Sequence, residues 1–389
     1  MNYYARLCLC FWLVFPLCFA VNIDTEGLPD TGLDTSDWVA GELPPLEDMW
    51  SLNDMQIAAK NVIAKRHYGE LFTRIIGNME TGALDEITYQ ANLNIWKSVH
   101  LNGYSFRDVS DVDLSTSILG YNFSTPFFIA PAADAGHTNQ SAELIYATKS
   151  LEGIANVSLD GQIMFHQQYV WSNRSRLVDE LKRFEDAGYR AIFLTIDNTG
   201  VDGIRSRSLR FTGAGYSPTH SATFDLVALA EIQNLTSLPI VPKGIKTAAD
   251  ARICLELGFP AIYVSNHGGR TLDGAPTAVE ILLDIRQNAP EVFERMEVYA
   301  DGGVRRGNHV ITLLALGARA GEEGVLRMID ILRTELETTM QLMGENKVKN
   351  INSTYINTKL VDALLQDAEA QVATTANCNG VMYHPLTLQ

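Results

Sequence analysis

Five short stretches carry side chains whose types and spacing could do chemistry together. The strongest is Ser265-Asn266-His267-Gly268-Gly269-Arg270, followed by Leu272-Asp273-Gly274. A histidine can take up a proton near neutral pH. Paired glycines let the backbone approach a ligand closely. An arginine three residues on can grip a carboxylate through two parallel hydrogen bonds. Taken alone, the same His-Gly-Gly could equally be a structural turn. The second stretch, Asp301-Gly302-Gly303-Val304-Arg305-Arg306-Gly307, offers exposed backbone N–H groups, a following helix N-terminus and two cations, a combination that suits a phosphate. It could also be an ordinary Gly-rich turn. The third is Lys243-Gly244, where a buried cation is costly without a ligand or partner; a rim lysine is the plain alternative. The fourth, Thr195-Ile196-Asp197 and then Gly203-Ile204-Arg205-Ser206-Arg207, supplies an acid able to orient a histidine and a second carboxylate clamp in Arg205. The plain alternative for that arginine run is a solvated loop. Gln167 and Tyr169 complete the set, since both can hydrogen-bond a planar ring or a substrate oxygen.

Something must present these groups on one face, and the intervening sequence indicates what. Short apolar runs at 127–131 (FFIAP), 162–169 (QIMFHQQY), 191–197 (AIFLTID), 239–243 (PIVPK), 261–266 (AIYVSN) and 298–301 (VYAD) read as strands without polar alternation. Strands of that kind are buried on both faces, as in a parallel sheet covered by helices. Amphipathic segments separate them: one through Leu177, Leu181 and Phe184 that ends at Gly188, and others at 248–257, 278–287 and 308–316. A further helix, capped by Ser51, runs through Asp54, Ile57, Ala58 and Ile63. The polar groups fall at the strand ends, which is where α/β barrels carry their active sites. The expected fold is therefore a (β/α)8 barrel with two βα units compressed or missing. Only about thirty residues separate Pro131 from Gln162, and after Gly317 the sequence ARAGEEGVLRMID leads straight into a long helix with no apolar strand.

A chain of 389 residues suits one large barrel with extensions. Its formal charge of −16 disfavours nucleic acid and anionic membrane surfaces, though a local Arg/Lys cluster can still hold an anionic small substrate. Residues 1–20 place Arg6 before an apolar run ending at Ala20, the pattern of a secretory signal, with an uncleaved anchor as the alternative. Residues 21–48 read as an acidic tail, 49–345 as the barrel and 346–389 as a C-terminal extension. Three cysteines lie in the signal, leaving Cys254, expected in the core, and Cys378, which is no disulfide scaffold. Asn122, Asn139, Asn156, Asn173, Asn234 and Asn352 begin Asn-x-Ser/Thr sequons, and Asn122 is expected to be a chance match in a buried element. A secreted glycoprotein is the expectation.

The pieces SNHGGR, DGGVRRG, LPIVPKG and LTID, in this order and spacing over residues 50–345, resemble the FMN-dependent 2-hydroxy-acid oxidase and dehydrogenase family. That resemblance implies FMN as cofactor, a 2-hydroxy acid as substrate, O2 or another electron acceptor, and a homo-oligomer. It implies His267 as the base, paired with Asp197, with Arg270 and Arg205 on the substrate carboxylate and Tyr169 on the substrate. Lys243 would stabilise the reduced ring, and Gln167, Thr195 and Ser265 would contact the ring or ribityl chain. Asp301, Gly303 and Arg305 would hold ribityl and phosphate, and Pro131 and Ala132 would line the flavin through their backbone.

The departures are specific. Pro131-Ala132-Ala133 stands where the family has Pro-Thr-Ala, and the segment Asn78-Met79-Glu80-Thr81-Gly82-Ala83 lacks the family's tyrosine. The second barrel strand has no clear counterpart, and neither does the last strand with its Gly-x-Gly-Arg phosphate loop. Two other readings therefore stand beside the oxidoreductase: an impaired barrel that no longer holds FMN, and a flavin-free, phosphate-binding barrel enzyme. SNHGGR and Lys243 weigh against the latter.

Overall fold

The computed structural model describes residues 30–39, 42–66, 81–131, 150–156, 158, 161–198, 221, 223–322, 326–363 and 365. Seven parallel strands form its sheet: β1 (Phe127–Ile129), β2 (Phe165–Tyr169), β3 (Ala191–Thr195), β4 (Ile240–Ile245), β5 (Ala261–Val264), β6 (Glu297–Ala300) and β7 (Arg319–Glu322). Their spatial order is β1-β7-β6-β5-β4-β3-β2. Each strand thus lies beside its successor in sequence except β1 and β2, which do not pair with each other among the described residues. Among the described residues, the sheet has its two ends at β1 and β2.

Of the two units expected to be compressed or missing, one has its strand in place. The last strand is present as β7, in parallel register with both β1 and β6. It escaped the sequence reading because Arg-Ala-Gly-Glu carries no apolar run; neighbouring backbones hold it there, not its composition. The residues that would form the family's second strand are not among those described, and neither are residues 323–325.

Alternate residues of each strand face inward. Phe128, Phe165, Phe193, Tyr263 and Tyr299 meet in the barrel interior, with Phe128 ring centroids 5.5 Å from Tyr299 and 5.7 Å from Phe193. Phe128 of β1 and Phe165 of β2 touch edge-on at 6.4 Å. A hairpin, Thr116–Ile118 with Tyr121–Phe123, presses Ile118 into this cluster and plugs the end opposite the site.

Helices cover the outside: α1 (Leu52–Arg66), α2 (Ile87–Asn94), α3 (Leu151–Ala155), α4 (Arg174–Asp186), α5 (Leu226–Gln233), α6 (Ala248–Glu256), α7 (Ala278–Asn288), α8 (Glu291–Arg295), α9 (Gly307–Leu316) and α10 (Leu326–Met343). Several of their starts carry side-chain caps. Asn173, Asp225 and Thr247 cap α4, α5 and α6, and Thr277 with Glu280 forms a capping box on α7. Ser51 Oγ accepts from Asp54 N at 3.2 Å, as the sequence predicts for α1. Cys254 sits in the core at 2% exposure.

The packed body runs past residue 345. Val348, Tyr355 and Val361 are buried, and Ile356–Asn357 pairs with His100–Leu101. Part of the acidic tail also packs, since Asn61 Nδ2 on α1 donates to the carbonyls of Val39 and Glu42. Among the described residues, no helix is long and apolar enough to cross a membrane.

Candidate active site

The carboxyl ends of β2 to β6 bring most of the sequence-nominated residues together. Tyr169 and Thr195 are the last residues of β2 and β3, Lys243 lies within β4, and Ser265 and Asp301 follow β5 and β6 directly. Parallel pairing sets Tyr169 beside Thr195 and Thr195 beside Lys243.

His267 is the centre of one network. Its Nδ1 lies 3.0 Å from Asp197 Oδ1, and its Nε2 lies 3.2 Å from the Tyr169 hydroxyl. Asp197 has a fully buried side chain. Burial alone would raise its carboxyl, but His267 opposite it, helped by Lys243 and Lys246, outweighs that and holds it at about 2. The carboxylate is therefore ionised and can only accept, so Nδ1–H of His267 is the donor. In the neutral ring this leaves Nε2 as the acceptor of the Tyr169 O–H, a lone pair held toward the strand ends. Gly244 makes the arrangement possible. Its φ is 113°, and a Cβ there would lie 2.5 Å from Asp197 Cβ.

A second network lies beside the first. Lys243 Nζ donates to Ser265 Oγ at 3.0 Å and lies 3.6 Å from Asp301 Oδ2. Ser265 Oγ donates to Asp301 Oδ1 at 2.7 Å and accepts from His267 N at 3.1 Å. The cation is buried at 5% exposure, so it is not a rim lysine. It sits 5.2 Å above the Tyr263 ring. The Gln167 side-chain amide donates to Thr195 Oγ1, while Gln167 Oε1 is buried with no partner among the described residues.

Arg305 reaches from the DGGVRRG turn to Asn53 and Gln56 of α1, and its backbone N–H donates to His309 Nδ1 at 3.1 Å. Arg306 is used differently. It pairs with Glu335 of α10 at 2.7 Å, and the same carboxylate accepts from Gly307 N at the start of α9. An internal acid therefore already occupies that helix N-terminus. Arg270 is half-buried beside Gly268, and Pro131 lies just beyond the end of β1. Ala132 and Arg205 lie outside the described residues.

Sequence reasoning missed three contributors. Asn266 and Asn92 of α2 exchange side-chain hydrogen bonds. Asp273 accepts from Asp85 N and Thr88 N, serving as the cap that α2 lacks in its own sequence. Asn266 and Asp273 stood inside or next to a nominated motif. Asn92 carries no local signal at all.

The model of the FMN-dependent dehydrogenase family matches residues 70–221 and 211–358. Glycolate oxidase 3 of Arabidopsis thaliana is 33% identical over 336 residues, which cover 72% of this chain and 90% of that protein. 2-Hydroxyacid oxidase 1 of Mus musculus is 31% identical over 336 residues, covering 71% and 90% respectively. The recombinant flavin-binding domain of baker's yeast flavocytochrome b2 superposes with a TM-score of 0.75 at 26% identity, covering 89% of this chain and 95% of that one. With a histidine–aspartate pair and a buried lysine at the strand ends, and a family match across most of its length, this chain belongs to the FMN-dependent dehydrogenase family.

Proposed function

We propose that this chain oxidises a small 2-hydroxy acid, or a related hydroxyl-bearing metabolite, to its 2-oxo product. The single observation that carries the reading is the Tyr169–His267–Asp197 relay set beside buried Lys243. The residues present fit FMN. Gln167 Oε1 is a buried acceptor without a partner among the described residues, suited to a ring N–H, and Arg305 supplies a guanidinium beside a Gly-Gly turn for a phosphate.

Bound FMN supplies the acceptor for the substrate's two electrons. The side chains have these roles. His267 Nε2 takes a proton from the substrate, from its α-carbon or its hydroxyl, and Asp197 stabilises the imidazolium so formed. Arg270 and Arg205 bind the substrate carboxylate, and Tyr169 donates to a substrate oxygen. Lys243 offers positive charge where the reduced ring carries negative charge. Gln167, Thr195 and Ser265 would hold the ring or ribityl chain. Asp301, Gly303 and Arg305 would hold the ribityl and phosphate, with Pro131 and Ala132 lining the flavin. O2 or another acceptor would complete the cycle, and a homo-oligomer follows from the resemblance alone.

Secretion and glycosylation belong to the same reading. Every described sequon asparagine (Asn122, Asn156, Asn173, Asn234 and Asn352) is exposed, Asn122 included despite its place in a strand. Asn173 caps α4 through its oxygen, which leaves its nitrogen for a sugar. Glycosidase digestion of protein from culture medium should lower its apparent mass; protein retained in the cytosol would sink this part.

The departures from the family pattern, Ala132 in place of threonine and no tyrosine at 78–83, favour a second reading, an impaired barrel that no longer holds FMN. A visible spectrum of the purified protein separates the two. The first reading expects a flavin spectrum that bleaches when 2-hydroxy acids are added without oxygen. A protein that stays colourless with added FMN supports the second and overturns the first.

A further inference from the structure

We infer that Asn92 is a positioning residue whose side chain ties the His267 turn to the Gly302-Gly303 turn, so that one amide on α2 sets both the proton-handling side and the phosphate side of the site. The inference rests on the reading above for what each side does.

Asn92 and Asn266 are both buried, at 2% exposure. Asn92 Nδ2 donates to Asn266 Oδ1 at 2.9 Å, and Asn266 Nδ2 donates to Asn92 Oδ1 at 2.8 Å. Asn266 Nδ2 also donates to the Pro276 carbonyl at 3.0 Å, and its Oδ1 accepts from Gly269 N at 3.1 Å. Two donors and two acceptor positions exhaust what a side-chain amide offers. The residue that follows, His267, has a φ of 59°, a backbone state that an L-residue keeps only where its surroundings impose it. The saturated Asn266 amide spans that residue from one side to the other.

The same Asn92 Oδ1 faces Gly302 of the second turn, and the Asn92 backbone carbonyl packs on Gly303. A Cβ at Gly303, where φ is 71°, would lie 2.1 Å from the Asn92 carbonyl oxygen, and one at Gly302 would lie 3.3 Å from Asn92 Oδ1. Arg305 is two residues beyond that contact. Asp273 anchors α2 itself from the loop after His267, through Thr88 N at 2.9 Å. Asn92 thus stands between two turns that are 35 residues apart in sequence (267 and 302) and belong to different strand ends.

Two substitutions test the tie. Asn92→Asp keeps the shape but removes the donor and sets a carboxylate oxygen against Asn266 Oδ1. Asn92→Ala removes the tie, yet leaves the Asn266 nitrogen with Pro276 and its oxygen with Gly269, so it serves if the aspartate variant fails to fold. The first readout is FMN affinity of the apoprotein by fluorescence quenching, expected to weaken about tenfold. The second is the downfield proton resonance of the His267 Nδ1–H bound to Asp197, seen in histidine-labelled protein, expected to move upfield or broaden. A folded variant in which neither readout changes, or in which only one does, overturns the tie and leaves Asn92 as filler. Neither readout needs turnover. A wild-type protein that binds FMN but reacts with no 2-hydroxy acid would therefore sink the proposed reaction and leave this test intact.

Discussion

Replacing Asp197 with Asn isolates the electrostatic part of the site. The substitution keeps the shape of a side chain packed on Gly244 and removes one charge from a carboxylate 3.0 Å from His267 Nδ1. That carboxylate is ionised, held at about 2 by the imidazole and two lysines against the upward push of burial. It therefore carries full charge when His267 takes up a proton. At an effective dielectric of about 20, unit charges about 4 Å apart interact by about 4 kcal/mol. The asparagine oxygen still accepts from Nδ1–H and recovers part of this. We expect flavin reduction to slow by about 10²- to 10³-fold, at about 1.4 kcal/mol per tenfold. Its new NH2 group would meet the position of Asp197 Oδ2, a buried atom with no partner among the described residues, so some loss of stability should accompany the slower rate. The assay is anaerobic stopped-flow reduction at saturating 2-hydroxy acid, normalised to bound FMN. A rate within about threefold of wild type would refute the assignment, because the pair would then not stabilise the transition state.

Three further outcomes follow from the same geometry. Burial lowers His166 and His309 to about 3 from an ordinary 6.5, so the folded protein resists protonation that the unfolded chain accepts. Their contribution is present above pH 6.5 and is lost as pH falls from 6.5 toward 3; urea midpoints should drop over that window, and His309→Asn should halve the proton uptake. A midpoint that stays flat from neutral pH to pH 4 would contradict both burials. Lys243→Met strands the Asp301 carboxylate, 14% exposed, and should cost about 3 kcal/mol of stability, much of it regained in Lys243→Met with Asp301→Asn. Equal losses in the single and double variants would show that the pair is not coupled. Phe128→Ala opens the barrel interior where four aromatic rings meet it and should cost about 3 kcal/mol in urea unfolding; a loss under about 1 kcal/mol would mean the interior collapses to fill the gap.

Much of the barrel is legible in the sequence because its strands are buried on both faces. Ala261–Val264 and Ala191–Thr195 have no polar residue before their ends, and such runs have few other places to go. Helix ends were legible for an equally local reason, as with Ser51 and α1. β7 was not legible. Arg319–Glu322 has no run of its own, and its backbone is held by β1, nearly two hundred residues earlier, and by β6.

The site divides the same way. The sequence by itself determined the inventory: a histidine followed by two glycines, a lysine and an aspartate each at a strand end, and the family they indicate. Only the tertiary structure decided the partners. It set His267 on Asp197 and Tyr169, turned Arg305 toward α1 while Arg306 closed on Glu335, and joined Asn92 to Asn266. The reason is physical. Which residues lie at a strand end follows from local apolar periodicity, whereas which strand ends meet follows from sheet order and register, fixed by contacts between residues far apart in the chain.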